Sequence, residues 1–328
     1  MVAELFGKPL IEVRRGGYLE SVHQVAACAC NAEGEIKLAL GSVDTPVFVR
    51  SAVKPMIAAT VAAVAAQAGY ALESDELALI AASHFGEAEH VAVVERLLAR
   101  SGSDESHLLC GAARPRHAGQ VSTARPIYNN CSGKHAGLLF LCKLLGVSSK
   151  QYLLPGHPVN KAWMALASRV YGVDVQAAPQ GVDGCGLPIF ALSLHTQAQG
   201  YARFSTLRGV AESDREAVAA VAQAMMEHPR LVGGAGHLDT KLMAAEPGGL
   251  LAKIGAEGVH CSASPAHDFA LALKIIDGNE RARPPAVVAV LQSLGALSPR
   301  ALDALAEFIA PPIRNLAGLP VGDIRCIL

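Results

Sequence analysis

Ser51 and Lys54 stand three residues apart in Arg50-Ser51-Ala-Val-Lys54-Pro55. Across one helical turn that spacing brings a hydroxyl and an amine to the same face, where the amine can take the hydroxyl proton. The lysine must be kept neutral by burial or by a nearby cation. Pro55 has no N–H to give the Ser51 carbonyl, so the pair belongs at a helix start. There the backbone N–H of Ser51 is free to receive an oxyanion. A chain of this length holds roughly one S-x-x-K by chance, so the pair alone carries little weight.

Two cysteines offer a different chemistry. Cys131 lies in Asn129-Asn130-Cys131-Ser132-Gly133-Lys134-His135-Ala136-Gly137, just before a predicted helix and beside Lys134 and His135. A helix N-terminus and a cation together lower a thiol pKa. Cys185 sits on a second turn, Val182-Asp183-Gly184-Cys185-Gly186, next to a carboxylate. Two loop cysteines can share a soft ion, for which zinc (Zn2+) is the natural choice. No C-x-x-C or H-x-x-x-H accompanies them. A nucleophilic Cys131 paired with His135 is equally open on spacing alone, and two buried structural cysteines are the favoured reading at this point. Gly233-Gly234-Ala235-Gly236 matches no phosphate-binding pattern, Glu87-Ala-Glu89-His90 reads as an exposed helix start, and Trp163 reads as core.

The elements that must position these residues fall into blocks. Residues 9–50 read as strands, with Glu20–Cys30 and Glu35–Leu40 flanking a turn at Asn31-Ala-Glu-Gly34 and a short run at Pro46–Val49. The period then becomes helical at Met56–Ala68, Ala88–Arg100, 133–145, 160–171, 188–203, 212–227, 282–296 and 298–309. Strand-like runs return at Leu250–Ile254, Gly258–Ser262 and Phe269–Ile276, with Val321–Leu328 a candidate last strand. The fold class is therefore α/β, of the α+β kind: one antiparallel sheet from both chain ends, covered by helices, with an inserted helical lobe. A single domain over 1–328 is expected, β-rich at 9–50, helical over 51–246, with β-rich hairpins at 250–277 and C-terminal helices and a last strand over 282–328. The cleft between sheet and lobe is the place for a site.

Composition narrows the function. The 328 residues are 51% hydrophobic and only 17% charged, which excludes disorder and coiled coil. Lys plus Arg is 28 and Asp plus Glu is 29, and a net charge of -1 gives no field for a phosphate backbone, so no nucleic-acid partner is expected. The longest apolar stretch, Ile57–Ala66, is half the length of a membrane span, and Met1–Lys8 carries no basic lead into an apolar run. A cytoplasmic protein without membrane contact is expected, and eight cysteines are too dilute for a disulfide scaffold. Sparse charge and a mean hydropathy of +0.31 point to a large subunit interface.

Lys253-Ile-Gly255, on a late strand, has the shape of the K-T-G element of serine penicillin-recognising enzymes, in which S-x-x-K also enters a helix after N-terminal strands. The middle S-D-N element is absent; Ser83, in Ala82-Ser83-His84-Phe85-Gly86-Glu87, or Asn129-Asn130 stands in its place. Together with the Cys131 and Cys185 blocks, Val182–Pro188, Lys253–Gly258 and Lys274-Ile-Ile-Asp277-Gly278-Asn-Glu-Arg281, these residues resemble the Rhizobium etli-type (class 3, asparaginase II family) L-asparaginases. The resemblance runs from about residue 9 to the C-terminus, and the Cys131 block is its most specific part.

That resemblance implies hydrolysis of L-asparagine to L-aspartate and ammonia on a fold similar to serine β-lactamases and glutaminases. It implies two Ser–Lys tandems, Ser51–Lys54 and Ser83–Lys253, at one site. It implies Zn2+ held by Cys131, Lys134, Cys185 and a water, with Asp183 and His135 behind them, and substrate contacts from Arg50, Asp183 and His135. A homodimer is implied as well. His237 departs from the family pattern as we know it, which has Arg at that place. In this reading Ser51 attacks, Lys54 takes its proton, and Ser83 and Lys253 relay a proton to ammonia; Ser83 as nucleophile with Lys253 as base is the alternative. Rival functions are a glutaminase on the same scaffold, a β-lactamase or peptidase, which should carry an export signal and S-D-N, and a non-catalytic zinc-binding protein.

Overall fold

In a computed structural model the chain is described over residues 5–116 and 123–328. Four strands open it: β1 (Lys8–Arg15), β2 (Tyr18–Cys30), β3 (Ile36–Leu40) and β4 (Pro46–Phe48). Helices α1 (Lys54–Gln67), α2 (Ser74–Ile80), α3 (Ala88–Ser101), α4 (Ser132–Leu144) and α5 (Pro158–Tyr171) follow. Next come β5 (Gln180–Val182), β6 (Pro188–Ser193), α6 (Leu194–Thr206), α7 (Glu212–Glu227), α8 (Pro229–Gly233) and α9 (Leu238–Ala245). The chain closes with β7 (Leu251–Gly255), β8 (Val259–Ser264), β9 (Phe269–Ile275), α10 (Arg283–Ser293), α11 (Pro299–Ala304), α12 (Ala306–Ile309), β10 (Pro312–Arg314) and β11 (Pro320–Cys326).

The main sheet is antiparallel and drawn from both chain ends, in the order β10-β11-β1-β2-β9-β8-β7, with β3 paired to the end of β2. Strand β2 explains why both ends are needed. Its first half is mostly exposed, whereas Val25–Cys30 is buried on both faces, between β9 and β3 in the sheet and under α6. The sheet-and-lobe architecture read from the sequence is the one found.

Helix α1 is the axis of the lobe. Its first eight residues, Lys54–Val61, are all buried, because α2, α4, α5 and α7 surround it. A helix enclosed on every side is apolar around its whole circumference, and here only Lys54 and Thr60 interrupt the apolar run. Trp163 is core, its Nε1 donating to Asn160 Oδ1 at 2.9 Å.

One element differs from its expectation. Residues 188–203 are not a single helix: Pro188–Ser193 is strand β6, and the helix begins at Leu194. The apolar run Pro188–Leu192 is buried throughout, so it has no alternation to mark it as a strand. Ser193 ends it by accepting a hydrogen bond from Thr196 N at 3.0 Å, the N-cap of α6. With β4 and β5 this strand makes a small second sheet, β4-β6-β5, so strands also occur within the 51–246 helical block.

Candidate active site

The small sheet delivers Ser51. Val49 N donates to Phe190 O of β6 at 3.1 Å, and the chain then turns sharply at Arg50, whose φ is +48°. A non-glycine residue in that region costs of order 1 kcal/mol and persists only where its surroundings hold it. Two contacts do so. Arg50 Nε pairs with Asp183 Oδ1 at 2.8 Å, and Tyr201 Oη of α6 donates to Ala52 O at 2.6 Å. Ser51 is thus the second residue of a single 3₁₀ turn, Arg50–Val53, that runs into α1.

Ser51 and Ser83 both line a cleft of about 1000 Å³, together with Phe85, Asn130, His237 and Arg283. Ser83 follows α2, its N–H held by Val232 O at 2.9 Å. Its hydroxyl sits between two amines. Lys253 Nζ, on edge strand β7, donates to Ser83 Oγ at 2.8 Å, and Lys54 Nζ, from α1, donates to it at 3.1 Å. Lys54 Nζ also donates to Ala82 O at 2.6 Å and Asn130 O at 3.1 Å. Among the described residues its hydrogen-bond partners therefore include Ser83 and not Ser51. Lys253 makes one further bond, to its neighbour Ile254 O at 3.0 Å.

Both amines are fully buried. Burial lowers the affinity of Lys54 for its proton, and the ammonium of Lys134 adds to this. Lys253 is pushed down to about 7, chiefly by burial and also by the positive charge of Lys54, against the pull of Asp239. Lys253 can therefore act as a base near neutrality, which an exposed lysine cannot, and burial moves Lys54 in the same direction.

The second cluster lies behind the first. Asn129 Oδ1 accepts from Cys131 N at 2.9 Å, and its amide holds Cys110 O, which sets the turn that presents Cys131 at the start of α4. Lys134, one turn on, donates from Nζ to Cys185 Sγ at 2.9 Å. The Cys185 thiol also bonds the Cys131 sulfur, which holds Cys131 well below its ordinary pKa with help from the Lys134 and Lys54 cations. The same contact, with burial, raises Cys185. Burial disfavours the Lys134 ammonium, yet the Cys131 thiolate and the hydrogen-bonded Cys185 sulfur outweigh it and raise its pKa. Asp183, paired with Arg50, lies 4.0 Å from Cys185 Sγ. His135 is enclosed; its Nδ1 meets Tyr152 Oη at 2.7 Å, and its Nε2 has no partner among the described residues.

Cys131 and Lys134, one turn apart, are thus brought into contact with Cys185, which lies 51 residues beyond Lys134. Two sulfurs, one favouring the thiolate, and an amine are donors that suit Zn2+, provided the amine is neutral when it ligates. Glu87, Glu89 and His90 also gather their ligand atoms within 4.8 Å. There His90 Nδ1 already accepts from Glu87 N, its Nε2 meets Arg230 O, and Arg230 pairs with both glutamates, so the cluster is a cross-braced helix start.

Asp239, His260 and Arg283 escaped the sequence reading, which noted His237 only as a departure from the family pattern. They follow the glycine run or lie on β8 and α10, and no spacing links them. The glycines themselves were the available signal: Gly234 has φ +107°, and a Cβ there would meet the ring of Phe85 at 2.6 Å. The run lets the backbone close over Phe85, whose ring stands edge-on to His237 in the cleft wall.

Comparison with known proteins gives the family. No curated protein matches the chain. Among solved structures, a β-lactamase from Mycobacterium bovis aligns with a TM-score of 0.43 at 14% identity, covering 87% of this chain and 94% of that one. The sequence profile described as L-asparaginase II matches residues 11–326. That span takes in both lysines, both serines and both cysteines of the cleft, and the chain belongs to the L-asparaginase II family of asparagine-hydrolysing enzymes.

Proposed function

We propose that this chain is an L-asparaginase of the Rhizobium etli type that cleaves the side-chain amide of L-asparagine by serine–lysine catalysis in the cleft. The observation that carries the reading is Ser83 Oγ held by two buried amines, at 2.8 and 3.1 Å, in a cleft that Ser51 also lines. Ser51 Oγ attacks the amide carbon while its proton passes to neutral Lys54, and backbone N–H groups receive the oxyanion. Lys54 already gives two N–H bonds to carbonyls, so its third position toward Ser83 serves as the proton's way out. Ser83 passes that proton to the leaving nitrogen, the C–N bond breaks, and ammonia departs. Water then attacks the Ser51 ester and its proton moves through Ser83 to neutral Lys253; as the acyl C–O bond breaks, Lys253 returns that proton through Ser83 to Ser51 Oγ, and L-aspartate is released, its new carboxyl giving its proton to solvent.

A zinc ion would be held by Cys131, Lys134 and Cys185, and when bound it supplies fixed positive charge for placing the substrate. Arg50, Asp183 and His135 surround that position and are assigned to substrate binding. A second reading, with Ser83 as nucleophile and Lys253 as its base, is favoured by the shorter Ser83–Lys253 bond.

The test is ammonia release from asparagine and from glutamine by one preparation whose metal content is also measured. Faster release from asparagine, with close to one zinc per chain, supports the proposal. One extra methylene is worth only about 1–3 kcal/mol in a pocket, so a preference for glutamine would reassign the substrate and leave the chemistry standing. Bound zinc with no release from either amide would favour a non-catalytic metal protein.

A further inference from the structure

Lys253 lies on an edge strand, and an edge strand leaves every second residue with unpaired N–H and C=O groups. Ile254 is such a residue. Its N–H donates to Asp239 Oδ2 at 2.7 Å, and its C=O accepts from Lys253 Nζ at 3.0 Å. One peptide unit on each side of Ile254 therefore links a fully buried carboxylate to the amine that holds Ser83. Asp239 sits in the first turn of α9, behind His237, whose Nδ1 accepts from Asp239 N at 3.3 Å.

The charges around this link are few. Facing Asp239 are His237, His260 on β8, Lys253 on β7 and Arg283 on α10; His260 Nδ1 is 3.6 Å from its Oδ1. Burial takes His237 down to about 4 and His260 to about 3, so both are neutral where the enzyme works. The cations that answer the carboxylate are Lys253 and Arg283. Facing Lys253 in turn are Asp239, Lys54 on α1, Arg283 and Cys131. Lys54 and Arg283 disfavour a second positive charge there, and Asp239 is the carboxylate that offsets them.

We propose that Asp239 is a positioning residue for Lys253: it fixes the edge strand through the Ile254 N–H and supplies the buried negative charge that lets the Lys253 amine carry a proton beside Ser83. The role rests on the reading of Ser83 and Lys253 as reacting groups. Losing the charge destabilises the ammonium, so the pH at which Lys253 titrates falls, and the acid limb of kcat falls with it.

The test uses Asp239→Asn, which keeps an acceptor oxygen for Ile254. The Lys253 13Cε resonance, assigned with Lys253→Arg, is titrated in parallel with the pH–rate profile. We expect both midpoints to move down by about one unit. A folded Asp239→Asn with an unmoved Lys253 midpoint would overturn the proposal, whatever its activity, because a purely structural role lowers the rate without shifting a limb. Should that variant not fold, the wild-type Ile254 amide decides: its proton shift must follow the Lys253 titration, and a constant shift would contradict the link. A wild type that releases no ammonia would defeat the proposed function, while the two resonances would still decide the coupling.

Discussion

At the scale of single residues, the cleft works by removing water from two lysines. An exposed amine holds its proton until about pH 10.4, and the Coulomb repulsion of a second amine adds little in bulk solvent. Here Lys54 and Lys253 are both enclosed and share one serine oxygen, so protonating one makes protonating the other harder. Lys253 must be neutral to take the water's proton, so kcat should rise as pH climbs through about 7. A profile flat from pH 6 to 8 would remove Lys253 from that role. Lys253→Arg keeps a donor for Ser83 but cannot release its proton, and we expect kcat to fall at least about 100-fold. The serines and lysines were legible because each lay in a short block of the right order, and the resemblance paired Ser83 with Lys253. The bond from Lys54 to Ser83 was not legible, since Lys54 reaches Ser83 across 29 residues while Ser51 is three away.

At the scale of elements, the site depends on how closely α4 lies on α2. Gly133 faces the Leu79 carbonyl at the end of α2, and a Cβ there would collide with it. Backbone cannot rotate aside as a side chain can, so α4 would have to move, taking Cys131 and Lys134 with it. We expect Gly133→Ala to cost about 1–3 kcal/mol, read as a lower denaturant midpoint, and to weaken metal retention. A variant with wild-type stability would show that α4 has slack. The helical elements of the lobe were readable from period alone where one face stayed polar, as in α3. Buried runs such as Pro188–Leu192 carry no period, and short α2 and α9 took their form from caps and packing that no window of residues displays.

At the scale of the molecule, the order of blocks along the chain is what brings two chemistries together. Strands from both ends build the sheet, the lobe between them carries Ser51, Ser83 and the cysteines, and Lys253 enters from the far edge of the sheet. This closure was legible because strands and helices are segregated in sequence. Among the described residues no helix is long and apolar enough to cross a membrane. Exposed Tyr18, Leu19, Leu316 and Leu319 lie on or beside the β10–β11–β1–β2 side of the sheet, which agrees with the homodimer we expect. Sedimentation should return about twice the 34.0 kDa chain mass, and a monomer at high concentration would contradict it. Zinc should leave the protein in Cys131→Ser and in Cys185→Ser, but not in Cys28→Ser, whose sulfur lies in the main sheet.

The central claim is that a serine in this cleft attacks asparagine with help from the buried lysines. Initial rates of ammonia release at saturating asparagine, for wild type, Ser51→Ala and Ser83→Ala with folding checked by circular dichroism, test it most directly. We predict a fall of at least about 1000-fold for Ser51→Ala and a comparable fall for Ser83→Ala, since removing either member of a unit removes most of its rate. Near-wild-type turnover in folded Ser51→Ala would move the attack to Ser83, and near-wild-type turnover in both variants would contradict the account.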